Sequence, residues 1–357
     1  MNEAYDTVVI GGGQAGLSVG YFLAQQQRTF VILDANERVG DAWRKRWDSL
    51  LLFTPARIDG LPGLRFPARG DSFINKDQMA DFLETYARHF NLPVLSSMKV
   101  TKLSRENGRF VVQSSNRSFE ADNVVVAMSN FQVPRVPPFA KDLDPSIVQI
   151  HSFDYRNPSQ LRDGGVLVVG VGNSGADISL ETAKTHRTWL AGKEAGAIPF
   201  RIETFFGRHI LARIVRFVGH NVMTVKTPMG RKMRSRALFR AAPLIRVKLK
   251  DLTDAGIERV PRVTGVKDGQ PLLADGRTLD VKNVIWCTGF EPGFSWIDLP
   301  VLGERQEPLH ESGIVSSQPG LYFVGLHFLH SLTSATISGV PRDARRVVHH
   351  IATRTSS

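Results

Sequence analysis

The 357-residue chain carries 45 Lys and Arg against 34 Asp and Glu, a formal net charge of +11, with 42% hydrophobic and 22% charged residues. These are ordinary globular values for two or three domains, and they exclude a fibrous, collagenous or disordered chain. Cys287 is the only cysteine, which excludes a disulfide framework, a CxxC redox centre and a cysteine-rich zinc site together.

The opening MNEAYDTVVIGGG has no basic region followed by an apolar stretch and a small-residue cleavage site. No segment approaches the roughly 20 apolar residues that span a bilayer. The expectation is a soluble cytoplasmic protein. An apolar strand over residues 7–10 runs into GGGQAG (11–16), whose Gly11, Gly13, Gln14, Ala15 and Gly16 are the binding candidates, and a helix over 14–26. In such a fingerprint the first glycine allows a tight strand-to-helix turn and the second lets backbone approach a diphosphate. The third lets helix and strand pack closely, and the helix N-terminus offers free N–H groups to the anion.

The next strand, over 30–34, ends in Asp34, a carboxylate suited to the ribose hydroxyls of FAD or NAD. An amphipathic helix follows over 76–90, then short strands over 99–103, 109–113, 118–121 and 123–127. The proline-rich piece 133–139 reads as a linker. A second fingerprint, GVGNSG (170–175), offers Gly170, Gly172, Asn173, Ser174 and Gly175 as binding candidates. Lys193 stands at the same offset from Gly170 as Asp34 does from Gly11. A cation there attracts the 2′-phosphate of NADPH; the alternative is an ordinary surface lysine.

Residues 205–218 (FFGRHILARIVRFV) space apolar side chains at helical intervals with Arg208, Arg213 and Arg216 between them. Packing on its own domain, or a lid over the substrate channel, is preferred to a membrane-surface helix. The basic run around it includes Lys226, Arg231, Lys232, Arg234, Arg236, Arg240, Arg246, Lys248 and Lys250. It has neither a nucleic-acid-binding motif nor interleaved aromatics, so it reads as a solvated face and not a nucleic-acid site. A β-rich stretch over 257–281, strands over 283–288 and 320–325, and a final helix over 340–352 complete the chain. The layout is α/β: two Rossmann-like, three-layer ββα dinucleotide-binding domains, one inserted in the other. Residues 1–156 form the first part of the first dinucleotide-binding domain, 157–290 the inserted second one, and 291–357 the C-terminal part of the first.

The ordered set GGGQAG, GDAW (40–43), LLLFTP (50–55), HSFDY (151–155), GVGNSGAD, WCTGF and GLYFVG resembles the class B flavin-dependent monooxygenases. Within them it is most similar to the indole-3-pyruvate monooxygenase type and to bacterial flavoproteins labelled cation-transport-associated. The resemblance runs from Asp6 to about Ile351. It implies FAD on the first domain, NADPH on the inserted one, and a small heteroatom- or keto-containing substrate that meets O2 activated as a flavin C4a hydroperoxide. It brings Gly40 and Trp43 to the cofactor, with a core role for Trp43 as the alternative, and it adds Val100 and Gly325 to the cofactor contacts. Arg46, Trp47 and Thr54 lie on the segment that faces the isoalloxazine, Arg46 and Thr54 being the catalytic candidates. Thr288 and Gly289 lie at a crossover between the domains. No metal is implied, no membrane partner is expected, and a homodimer is left open.

The chain departs from the family pattern in three places. Pro145 and Ile147 stand where Phe and Gly precede His151, Thr54 stands where many members place an Asn, and Ala127-Met128-Ser129-Asn130 replaces an Ala-Thr-Gly. His151 is read as a linker residue in preference to a base. Three functions stay open: the monooxygenase, an NADPH-driven reductase or oxidase serving a quinone, metal ion or O2, and an FAD/NADPH-binding redox sensor.

Overall fold

The computed structural model of the protein describes residues 3–115, 117–193, 196–237 and 242–354; Arg240 of the basic run lies outside them. The strand Glu3–Ile10, buried over its last four residues, lies between two parallel neighbours, Phe30–Leu33 and Arg117–Val126. Val94–Leu95 extends the sheet beyond Phe30–Leu33. On the other side the strands Arg109–Ser114 and Val100–Glu106 form an antiparallel meander with Arg117–Val126.

The sequence reading breaks 118–127 into two strands, whereas the structure holds one continuous strand, Arg117–Val126. The strand changes partners instead of breaking. Its early residues pair antiparallel with Arg109–Ser114, and Val124–Val126 pair parallel with Leu321–Phe323, which returns from near the C-terminus. The helices Gln14–Gln25, Lys76–His89 and Val340–Thr353 pack on one face of this sheet through Leu17, Phe82, Tyr86 and Val347. Asn75 caps the middle helix reciprocally with Gln78, a capping box that fixes its start.

A second sheet is parallel throughout, in the order Val148–His151, Asn283–Trp286, Val166–Val169, Thr188–Ala191, Glu258–Val260. Fully buried strands such as VLVV and TWLA suit a sheet covered on both faces. The strand Val148–His151 therefore lies in the second sheet, ahead of the boundary expected after residue 156. Its parallel register with Asn283–Trp286 places it there, and the 133–139 linker has already carried the chain across. The two crossings between the sheets run side by side: Val133–Pro134 pairs antiparallel with Phe290–Glu291.

Candidate functional site

Both glycine fingerprints build the same object. Gly11 and Gly170 turn sharply at φ +111° and +119°, a region costly for any residue with a Cβ. A Cβ on Gly16 would stand 1.8 Å from the Gly11 carbonyl oxygen, and one on Gly175 would stand 1.9 Å from that of Gly170. Each third glycine thus lets its helix press directly on the turn. Gly13 and Gly172 are different: both have extended backbone, and a Cβ there would meet nothing within 4 Å. Both stand at helix N-caps without a side-chain cap, so the first-turn N–H groups face that open space.

Asp34 closes the first cradle from the end of its strand. Its Oδ2 accepts from the Gly12 N–H at 2.6 Å, and its Oδ1 accepts from the backbone and side-chain N–H of Asn36 at 2.7 and 2.9 Å. A carboxylate oxygen accepts more than one hydrogen bond, so acceptor capacity remains for a ligand. Lys193 follows Gly192, which is at φ +136°, and is exposed. Among the described residues it has no hydrogen-bond or ion-pair partner. Asn173 is engaged elsewhere: its side chain accepts from the Ile245 N–H at 2.9 Å and donates to the Pro243 carbonyl at 3.1 Å. Ser174 is half-buried beside it. Gly325 abuts Ala15, to which an added Cβ would come within 3.2 Å. Val100 pairs with Ser114 in the meander, close to Met98, whose N–H donates to the Asp34 carbonyl at 2.7 Å.

The segment from Gly40 to Thr54 bridges the two units. Gly40 has φ +92°, and a Cβ there would lie 2.5 Å from the Ala80 carbonyl oxygen. The Trp43 indole N–H donates to the Gln14 side chain at 3.3 Å, so this residue contacts the first fingerprint and also packs on the core below. Four residues on, Trp47 is buried in the core of the second unit with Tyr155, Val168 and Ile178. The Asp48 N–H donates to the Arg156 carbonyl at 2.8 Å. Arg46 lies between them, its guanidinium 6.0 Å from the centre of the Phe290 ring. Burial, and then the neighbouring Arg156, lower its pKa, and no carboxylate pairs with it among the described residues.

Thr54 sits in the strand Leu51–Pro55 and donates to Asp59 Oδ1 at 2.6 Å. Asp59 is only 1% exposed, its Oδ2 has no partner among the described residues, and burial lifts its pKa to about 7 against the opposing Thr54 hydrogen bond. No motif in the sequence marks Asp59, since its role comes from burial alone.

At the crossover the Arg135 guanidinium donates twice to the Thr288 carbonyl, at 3.0 and 2.7 Å, and its backbone N–H donates to Gly289. The Thr288 hydroxyl returns a bond to the Arg135 carbonyl. Arg135, like Asp59, escapes sequence reasoning. His151 Nδ1 accepts from the Phe153 N–H and Nε2 lies 3.1 Å from the Gly289 carbonyl, which fixes a neutral ring with its proton on Nε2. Both nitrogens serve backbone, so His151 works as a linker pin. Burial pushes the half-buried Cys287 thiol up to about 12, so it is no nucleophile at neutral pH.

Residues 8–195 match the family described as pyridine nucleotide-disulphide oxidoreductase. An uncharacterized CzcO-like oxidoreductase of Geobacillus kaustophilus is 38% identical over 354 residues, 98% of this chain and 99% of the relative. A probable indole-3-pyruvate monooxygenase of Arabidopsis thaliana is 28% identical over 382 residues, 97% of this chain and 87% of the relative. Among solved structures, a flavin-containing monooxygenase from Stenotrophomonas maltophilia matches with a TM-score of 0.79 at 27% identity, covering 98% of both chains.

Proposed function

Because the chain belongs to the class B flavin monooxygenase family, in its CzcO-like branch, we propose that it binds FAD at the Gly11–Gly16 cradle and NADPH at the Gly170–Gly175 cradle, and uses O2 to oxygenate a small heteroatom- or keto-containing substrate. The observation that carries this reading is the pair of matched cradles, each with open space at its middle glycine and free helix N–H groups, the first closed by Asp34 and the second lying beside Gly192, which the exposed Lys193 follows. FAD held there would supply the redox chemistry, two-electron transfer from NADPH to O2 with one oxygen atom entering the substrate and the other leaving as water.

The chain's own residues bind, orient and exclude water. Helix N–H groups at Gly13 and Gly172 receive the diphosphates, Asp34 accepts from ribose hydroxyls, and Lys193 meets a 2′-phosphate. In this reading the sheet of Glu3–Ile10 and Leu321–Phe323 forms the FAD domain, and the sheet of Val166–Val169 forms the NADPH domain. Trp43 orients the Gln14 end of the first cradle. Arg46, a partly buried cation without a carboxylate partner, favours negative charge arriving beside it. Trp47 and Leu50 pack apolar surface between the units, which keeps water from the region where the two cofactors meet.

One observation favours a second reading, an NADPH-driven reductase or oxidase that releases hydrogen peroxide. While Asp59 is ionised, the Thr54 hydroxyl proton is given to it and is not available to an oxygen species beside it. Turnover of the purified holoprotein under ¹⁸O2 with NADPH separates the two. A product carrying one labelled oxygen per NADPH supports the monooxygenase; complete recovery of NADPH electrons as peroxide, across thioether, amine and ketone substrates, overturns it.

A further inference from the structure

After the strand Thr188–Ala191 the chain leaves the second unit and lies across the first. Residues 205–222 form one helical run, Ala212–Phe217 flanked by wider turns at Gly207–Leu211 and Val218–Val222. Its inward side is made of small or polar residues: Gly207, Ala212, Gly219 and His220 are buried. The run is clamped at both ends. Arg208 lies over the Phe73 ring at 5.0 Å and donates to the Asp71 carbonyl at 3.2 Å, and His209 Nδ1 is 3.1 Å from an Arg57 nitrogen. At the far end Arg342 donates to the His220 carbonyl at 2.8 Å, and the Val225 N–H to that of His330 at 2.8 Å.

The outward side holds the large apolar side chains. Phe205 is 77% and Phe217 62% exposed, and Phe206, Ile210, Ile214, Val215 and Met229 are exposed as well. The sequence expectation that this helix buries its apolar residues on its own domain is therefore corrected: docking uses its glycines and alanine, and the amphipathic pattern faces outward. Scattered exposed apolar residues need no explanation, but a contiguous stripe does.

We propose that this stripe docks on the surface of an anionic lipid bilayer. Within residues 201–235 the basic side chains are Arg201, Arg208, Arg213, Arg216, Lys226, Arg231, Lys232 and Arg234, and the only acidic one is Glu203; Arg201 alone of these is paired with a carboxylate, Asp251 at 2.6 Å, among the described residues. Arg213 and Lys232 are exposed and have no partner among the described residues. Bulky apolar side chains rimmed by unneutralised cations match the boundary between acyl chains and anionic headgroups. A second copy of the chain fits worse, since a two-fold contact would set one basic rim against the other. No helix among the described residues is long and apolar enough to cross a membrane, so the contact is peripheral. Arg208 and His209 tie the run to the hairpin that carries Thr54; on the monooxygenase reading, which this one consequence rests on, the substrate is an apolar compound drawn from the bilayer.

The test is co-sedimentation of the full-length holoprotein with vesicles of phosphatidylglycerol and phosphatidylcholine, and with phosphatidylcholine alone. The expected result is binding to the anionic vesicles that is at least about tenfold weaker on neutral ones and is weakened by added salt. Combined Phe206→Ser, Ile214→Ser and Phe217→Ser removes outward side chains only. It is expected to weaken binding at least about tenfold with the far-ultraviolet dichroism and thermal midpoint unchanged, and Arg213→Glu is expected to weaken it further. Absence of binding to anionic vesicles overturns the proposal, as does binding indifferent to the triple substitution. So does a dimer in sedimentation velocity that the triple substitution dissolves, which would assign the stripe to a second copy. Vesicle binding is read without turnover, so its failure is distinct from failure of the proposed activity.

Discussion

The Thr54 hydroxyl and the Asp59 carboxyl are 2.6 Å apart, and the second oxygen of that carboxyl is buried with no partner among the described residues. Burial lifts Asp59 to about 7, so around neutrality the pair exchanges donor and acceptor. While Asp59 is ionised, Thr54 donates to it; once Asp59 is protonated, it donates to Thr54 and releases the threonine proton. In the monooxygenase reading, the fraction of NADPH recovered as oxygenated product is expected to rise as pH falls through 7, with peroxide falling in step. Asp59→Asn is expected to remove this pH dependence, measured by parallel product and peroxide assays from pH 6 to pH 8.

The same carboxyl sets a stability profile. Its folded pKa is raised above the unfolded one, so the folded state binds the extra proton, and its contribution is fully present below the unfolded pKa and lost as pH climbs through the folded one. Relative to Asp59→Asn, the native protein is expected to lose on the order of 2 kcal/mol between pH 5 and pH 8. Urea unfolding of both proteins at the two pH values reads the difference, and a constant difference contradicts the assignment.

Gly16→Ala and Gly175→Ala each drive a methyl group into a carbonyl oxygen less than 2 Å away. Each is expected to cost upwards of about 3 kcal/mol, seen as a lowered thermal midpoint or as insoluble protein. Full stability in either variant would mean that helix and turn are further apart than the structure shows.

These glycines are the most legible feature of the sequence because the constraint on them is steric and local. The continuous strand Arg117–Val126 is less legible: it changes partners from Arg109–Ser114 to Leu321–Phe323, and nothing local to 117–126 records where a distant segment will pair. Helix 205–222 shows a related limit. Its period is plain in the sequence, but which side faces in depends on Phe73, Asp71 and Arg342, far away in the chain. Asp59 and Arg135 were missed for the same reason, their roles being set by burial and by a crossover.

Trp47 belongs by sequence to the first unit and by packing to the second. Trp47→Ala is expected to cost about 3–5 kcal/mol. Trp47→Phe is expected to cost far less, because it keeps an aromatic ring and removes a buried N–H that has no partner among the described residues. Thermal melts of the two variants check this order.

Lys193→Ala is expected to weaken NADPH by about 1.5–3 kcal/mol, roughly tenfold to a hundredfold, and to leave NADH nearly unchanged. Equilibrium titration of both nucleotides measures it. Equal weakening of the two assigns Lys193 to the surface.

The most direct measurement compares Gly13→Leu with Gly172→Leu. Neither backbone is strained for a larger residue, and a Cβ at either position meets no protein atom within 4 Å, so both proteins are expected to fold and to fill their own cradle. Gly13→Leu is expected to purify colourless. Gly172→Leu is expected to purify yellow, with a flavin that dithionite bleaches and NADPH, added without oxygen, does not. A yellow Gly13→Leu protein, or a Gly172→Leu protein bleached by NADPH as fast as the native one, would contradict the assignment of the two cradles.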